Sequence, residues 1–315
     1  MKADGSPLRA VVLAYHDVGC VGLEELLAGG ADVAAVITHE DDPGETIWFG
    51  SVSAMARSRN IPVFAPEDVN RPEWVERIRA LRPSILFSFY YRRMIAPEIL
   101  AIPPLGALNL HGSLLPKYRG RAPVNWVLVK GETETGVTLH YMTARADAGD
   151  IVAQRRVPIG FEDTAADLFP KIVAASRDLL RDTLPRLRDG RAERVPQDLS
   201  LGSTFRGRRP EDGGIDWSRP AVEIHNLVRA VTRPYPGAFT FLRGAKLLVW
   251  KGYPLPPAGA GAEPGMVIGT DAARGAALVA TGDGVFRIDR FGLEGENDRA
   301  GAALSEGTRL ESGTP

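Results

Sequence analysis

From residue 8 to residue 89 the chain alternates short apolar runs with stretches whose apolar residues recur at helical spacing, and nothing else in it restricts the fold as much. Residues 8–15, 33–38, 62–64 and 84–89 read as buried strands. Residues 22–28, with Leu23, Leu26 and Leu27 on one face, 51–59, and 72–81, with Trp74, Val75 and Ile78 inward, read as helices. Such alternation predicts a mostly parallel sheet with helices on both faces. Gly19 and Gly22 lack the Gly-x-Gly-x-x-Gly pattern and are too weak a signal to support NAD binding.

The chemistry concentrates between Ala107 and Asp150. If residues 107–111 form a strand, its period of two puts Leu108 and Leu110 on one face and Asn109 and His111 on the other. The Gly, Pro and basic loop that follows places the pair at the strand's C-terminal end, facing a cleft, where open α/β sheets bind ligands. An amide can donate to an oxyanion and an imidazole can take a proton from an amine, a pairing that suits acyl transfer. Residues 136–142 and 151–157 read as strands joined by the loop 143–147. Asp147 in that loop fits either a turn cap or a carboxylate returned to the sheet edge beside His111.

Residues 124–129 read as a short helix with Trp126 inward, and 164–188 as a long one in which Pro170 predicts a break or late start and Pro185 a kink or end. The polar stretch 190–203 reads as a linker. Beyond it, a helix over 222–231 precedes short strands at 239–242, 246–251, 265–268, 277–281 and 285–291, whose Gly-rich turns point to a small barrel.

A length of 315 residues favours two domains, and a net charge of −1 gives no footprint for nucleic acid. From Phe205 onward fourteen Lys and Arg stand against thirteen Asp and Glu, and the loop at Glu40, Asp41, Asp42 and Glu45 is acidic. Both weigh against an RNA acceptor. Arg206, Arg208 and Arg209 are either a diphosphate contact or a solvated linker end. Cys20 is the lone cysteine and no His/Cys spacing suits zinc, so no metal is expected. The apolar run from Ala10 to Tyr15 is too short for a signal core or a membrane span, which makes a cytoplasmic protein without membrane insertion the expectation.

The order Asn109-Leu110-His111, then Ser113-Leu114-Leu115-Pro116, then Asp147 resembles the formyltetrahydrofolate-dependent formyltransferase superfamily. Tyr15-His16-Asp17, Thr38-His39, Ser88-Phe89-Tyr90-Tyr91-Arg92 and residues 131–140 narrow the resemblance. They look like the formyltransferase domain of the bifunctional polymyxin-resistance proteins, which act on UDP-4-amino-4-deoxy-L-arabinose in lipid A modification. The similarity spans nearly the whole chain. It implies a Rossmann-like catalytic domain over 1–189, a linker over 190–204 and an OB-like barrel over 205–315.

It also implies catalysis by Asn109, His111 and Asp147, with 10-formyltetrahydrofolate as co-substrate. The folate would be held by Arg93, Met94, Ile95, Arg121 and the loop Thr143, Ala144, Arg145, Ala146 and Asp147. A UDP-amino sugar would lie near Tyr15, Arg206, Arg208 and Arg209. Methionyl-tRNA formyltransferase shares triad and architecture, but the charge distribution disfavours it. A non-catalytic folate binder would need no such triad. The relatives' decarboxylase domain has no counterpart in these residues, so decarboxylation is not expected.

Overall fold

The computed structural model describes residues 7–42, 44, 46–256 and 262–313; Pro43 and Glu45 of the acidic loop lie outside them. The chain divides into two compact units. The first holds residues 1–123, 134–158 and 169–205, and the second residues 124–133, 159–168 and 206–315. Two segments that precede residue 189, 124–133 and 159–168, thus group with the C-terminal unit.

In chain order the elements are β1 (Arg9–Ala14), α1 (His16–Ala28), β2 (Asp32–Ile37), α2 (Val52–Ser58), β3 (Val63–Phe64), α3 (Pro72–Ala80), β4 (Ile85–Phe89), α4 (Pro97–Leu100), β5 (Ala107–His111), β6 (Arg119–Gly120), α5 (Pro123–Val129), β7 (Glu134–Tyr141), β8 (Ile151–Pro158), α6 (Ala165–Arg188) and β9 (Thr204–Phe205). The first unit's large sheet runs β3-β2-β1-β4-β5-β7-β8. Pairing is parallel from β3 to β5 and antiparallel at β5/β7 and β7/β8. From β1 the chain goes first to one side, through α1 to β2, and later crosses to β4 on the other, so the strand order reverses at β1/β4 and leaves a crevice at the C-terminal strand ends.

The alternation of strand side chains divides the core. Val11, Leu13, Leu86 and Ala107 pack with Ile78 of α3 and Ile99 of α4, whereas α1 presses on the opposite face at Phe89. A Cβ on Gly22 would lie 2.3 Å from the Phe89 ring, so only glycine allows this approach. α1 begins at His16, not at residue 22 where the sequence pattern places its start: the small residues between are a helix lying close on the sheet. α6 runs unbroken through Pro170 and Pro185. Leu168, Ile172, Leu179, Leu180 and Leu184 are all buried along it, and that packing outweighs the hydrogen bonds the prolines omit.

The second unit adds α7 (Ala221–Val231), β10 (Ala238–Leu242), β11 (Ala245–Leu255), β12 (Val267–Asp271), β13 (Ala276–Ala280), β14 (Val285–Leu293) and β15 (Arg299–Ala300). Its antiparallel sheet runs β10-β11-β14-β13-β12, with β15 on β14. Glu311 bridges to Phe241 in β10 and Arg309 to Met266 just before β12, so the C-terminal segment reaches both end strands. Trp217 fills the centre, its indole N–H donating to Thr240 Oγ1 at 3.0 Å. Trp126, expected inward, is half-buried: its indole donates to the Arg206 carbonyl at 2.9 Å and the Arg208 guanidinium covers its ring.

Candidate active site

Asn109 and His111 share a face of β5 at the crevice, and the antiparallel register sets His140 of β7 directly opposite Asn109 and Thr138 opposite His111. Thr138 Oγ1 donates to the Ser113 carbonyl at 2.6 Å and accepts from the Leu115 N–H at 3.1 Å. Gln154 of β8 donates to the Leu115 carbonyl at 2.8 Å. The loop leaving His111 is therefore fastened to the two neighbouring strands.

His111 was expected to face open solvent in a cleft, but it is 7 % exposed. Its Nε2 lies 2.8 Å from the Tyr118 carbonyl. A carbonyl can only accept, so Nε2 carries a proton, and the ring nitrogen left to gain or lose one is Nδ1. That Nδ1 points at Asp147 Oδ1, 3.6 Å away. Asp147 Oδ2 accepts the Gly120 N–H at 2.8 Å. Burial alone would raise the Asp147 carboxyl, yet the positive charge His111 bears when its ring is protonated, the His140 contact and the Gly120 N–H outweigh it and hold the group below the usual carboxylate range. Asp147 is an anion at neutral pH.

His140, at 1 % exposure, is a site residue that the sequence reading missed. Its Nδ1 donates to the Tyr141 carbonyl at 2.9 Å, which leaves Nε2 to accept from Asn109 Nδ2 at 3.2 Å. The same Asn109 nitrogen reaches Asp147 Oδ1 at 3.4 Å. His140 Nε2 lies 3.5 Å from that oxygen and would carry a proton toward it only as an imidazolium. Asp147 is brought here by a sharp turn in which its own φ is +51°. At Gly149 a Cβ would sit 2.0 Å from the Tyr141 carbonyl oxygen, so glycine is required for the turn to lie this close to β7.

The other expected site residues fall into four groups. Met94 is exposed, whereas the Ile95 side chain is buried in the core with Val11, Leu13 and Ile99, which leaves its backbone to meet a ligand. Asn70 clamps this loop, donating to the Met94 carbonyl at 3.0 Å and accepting from the Ala96 N–H at 2.7 Å. Arg93, Arg121 and residues Thr143 to Ala146 are exposed, with Thr143 Oγ1 donating to the Arg145 carbonyl at 3.0 Å.

Tyr15 is buried beneath the acidic loop and donates to Asp41 Oδ1 at 2.8 Å beside a cavity that Thr38, His39 and Phe49 also line. His39 accepts the Arg92 N–H on Nε2 at 3.0 Å and stacks on Tyr91, ring centroids 4.2 Å apart. Arg206, Arg208 and Arg209 belong to the second unit, where Arg206 pairs both guanidinium nitrogens with Asp212 at 2.9 and 2.6 Å, which offsets its charge. Arg208 donates to the Asp212 carbonyl at 2.7 Å. Among the described residues no cluster of His, Cys, Asp or Glu could hold a metal, and no helix is long and apolar enough to cross a membrane.

Residues 20–184 match the formyl transferase family, and residues 208–309 match the formyl transferase C-terminal domain. Among solved structures, the chain is similar to an N-formyltransferase from Helicobacter canadensis in complex with folinic acid and dTDP-3-aminofucose. That match has 23% identity, covers 89% of this chain and 98% of the other, and has a TM-score of 0.69. WlaRD, a sugar 3N-formyl transferase solved in the presence of dTDP and 5-N-formyl-THF, matches at 21% identity over 93% of this chain and 100% of its own, with a TM-score of 0.67. HypX from Aquifex aeolicus in complex with tetrahydrofolic acid matches at 20% identity over 95% of this chain and 47% of its own, with a TM-score of 0.62, so the present chain spans about half of that protein.

Proposed function

The chain belongs to the formyl transferase family, and from that premise we propose that it moves the formyl group of 10-formyltetrahydrofolate to the amino group of a nucleotide-linked amino sugar, the specific acceptor being UDP-4-amino-4-deoxy-L-arabinose. One observation carries the formyl-transfer chemistry: His111 Nδ1 lies 3.6 Å from an ionised Asp147, and the Asn109 amide nitrogen lies 3.4 Å from the same carboxylate oxygen.

As the amine nitrogen bonds the formyl carbon, His111 Nδ1 takes the proton it loses and Asp147 stabilises the imidazolium so formed; the proton then passes to folate N10 as the C–N10 bond breaks and tetrahydrofolate leaves. Asn109 turns an N–H from its long contact with Asp147 toward the oxygen that gains charge in the transition state. The backbone of Met94 and Ile95, fixed by Asn70, and the loop at residues 143–146 form the side of the crevice that takes the folate. Two of the similar proteins were captured with a formylated folate and a thymidine nucleotide, which supports a nucleotide-sugar acceptor. The choice of UDP and of a 4-amino pentose rests on the resemblance carried by residues 14–20, 38–45, 88–92 and 131–140. On this reading the product serves lipid A modification and polymyxin resistance.

The test supplies 10-formyltetrahydrofolate with equal concentrations of UDP-4-amino-4-deoxy-L-arabinose, a dTDP-linked 3-amino sugar and methionyl initiator tRNA, and follows each by mass. The UDP sugar gains the formyl group first. Preferential formylation of the tRNA, or of the dTDP sugar, overturns the acceptor assignment.

A further inference from the structure

The segment from Val195 to Phe205, which the sequence presents as a linker, is fastened to both halves of the site. Val195 and Ile151 exchange backbone hydrogen bonds at 2.9 and 2.8 Å, anchoring the segment beside the turn that carries Asp147. Two residues later the Gln197 amide donates to the carbonyls of Asp147 and Gly149, at 3.1 and 2.6 Å. Its Nε2 therefore spans the turn, bonded on either side of the residue that follows Asp147. Rotating the amide would face its oxygen to two carbonyls, so its orientation is fixed by chemistry.

Farther along, Ser203 accepts the Tyr118 N–H on its hydroxyl at 2.9 Å and the Arg119 N–H on its carbonyl at 2.9 Å. β9 then pairs with β6, matching Thr204 with Arg119 and Phe205 with Gly120, and the Phe205 ring stacks on Tyr118 at 5.1 Å. Tyr118 supplies the carbonyl that fixes the His111 tautomer, and Gly120 supplies the N–H that holds Asp147. One stretch of chain thus touches the backbone of the acid, the residue that donates to it, and the residue that orients the base.

We propose that residues 195–205 form a positioning strap, in which Gln197 sets the placement of Asp147 and Ser203 sets that of the Tyr118 carbonyl and so of His111. The proposal rests on the catalytic reading of Asn109, His111 and Asp147. Neither Gln197 nor Ser203 touches a reacting atom on this account. Their effect passes through the geometry of the pair, where a misplacement of about 1 Å costs on the order of a hundredfold in rate.

Gln197→Leu removes both donors at similar volume, and Ser203→Ala is a milder second variant should the first fold poorly. Steady-state kinetics with both substrates, the rate–pH profile and an acid titration of the Asp147 carboxyl by carbon NMR are compared with wild type. The titration needs no acceptor. The expected result is a kcat lowered on the order of tenfold to a hundredfold with both KM values nearly unchanged. The Asp147 carboxyl should also move up into the ordinary carboxylate range. A lowered Tm with wild-type kcat, pH profile and Asp147 titration would overturn the strap and leave the segment a structural connector. If the wild-type chain formylates no nucleotide-linked amine, the functional reading fails by itself, and the Asp147 titration still decides the strap.

Discussion

Asn109 and His140 stand directly opposite each other on β5 and β7, and the amide nitrogen of the first donates to Nε2 of the second at 3.2 Å. Because the other His140 nitrogen is committed to the Tyr141 carbonyl, the ring offers Asn109 a lone pair and fixes which end of the amide faces the site. His140→Leu removes that acceptor and frees the amide to rotate. We expect kcat to fall on the order of tenfold or more with the folate KM unchanged, since an oxyanion donor is worth about a hundredfold when lost altogether. A parallel rise in KM with unaltered kcat would place His140 in binding instead.

Asp147→Asn keeps an acceptor for the Gly120 N–H and removes the charge beside His111 Nδ1. A neighbouring anion favours the protonated imidazole, so its loss favours the neutral base. The rising limb of the rate–pH profile therefore moves to lower pH, and turnover falls. If the two profiles superimpose after scaling, Asp147 does no more than shape its turn.

Asn70→Asp turns the donor to the Met94 carbonyl into an acceptor, setting two oxygens against each other. Displacing this loop should raise the folate KM or Kd on the order of tenfold and leave kcat close to wild type, as expected for about 1.4 kcal/mol lost from one backbone clamp. Titration calorimetry with folinic acid measures it. Unchanged affinity removes the 94–96 backbone from the folate site.

Burial pushes the imidazoles of His16 and His39 down to about 4 each; Asp17 partly opposes this at His16, while arginine neighbours add to it at both rings. Each ring also accepts a backbone N–H, from Asp17 and from Arg92, which only a neutral ring nitrogen can do. In the unfolded chain these groups take protons near their ordinary value of about 6.5. Between about 6.5 and about 4 the unfolded state binds more protons than the fold, so stability falls as pH drops through that window. His39→Gln keeps an acceptor for Arg92 without titrating, and Tm measured across the window should fall less steeply than in wild type. Parallel curves would show that His39 is not among the acid-sensitive groups.

The pairing of Asn109 with His111 was legible because a strand's period of two is local: two residues apart means the same face. Asp147 came into view through the resemblance and not through spacing alone, since its approach depends on a turn at positive φ. His140 was not legible, because its place opposite Asn109 is set by the β5/β7 register, which no local pattern encodes. Gln197 and Ser203 lay hidden in a polar segment whose composition reads as a connector, while their hydrogen bonds run to residues far away in sequence. The uninterrupted α6 shows the same limit from the other side: the prolines signal a break locally, and a long buried face overrides them.

If His111 acts as the base through Nδ1, His111→Gln all but abolishes turnover and spares the fold. The glutamine amide can still donate to the Tyr118 carbonyl in place of Nε2, which preserves the loop, but it offers no base at Nδ1. Formyl transfer and folate binding are measured on the same preparation. The expected result is a wild-type Tm, a wild-type folate Kd and a kcat lowered about a hundredfold to ten-thousandfold, the span typical of general-base loss. A variant with the same Tm and folate affinity that retains full turnover would contradict it.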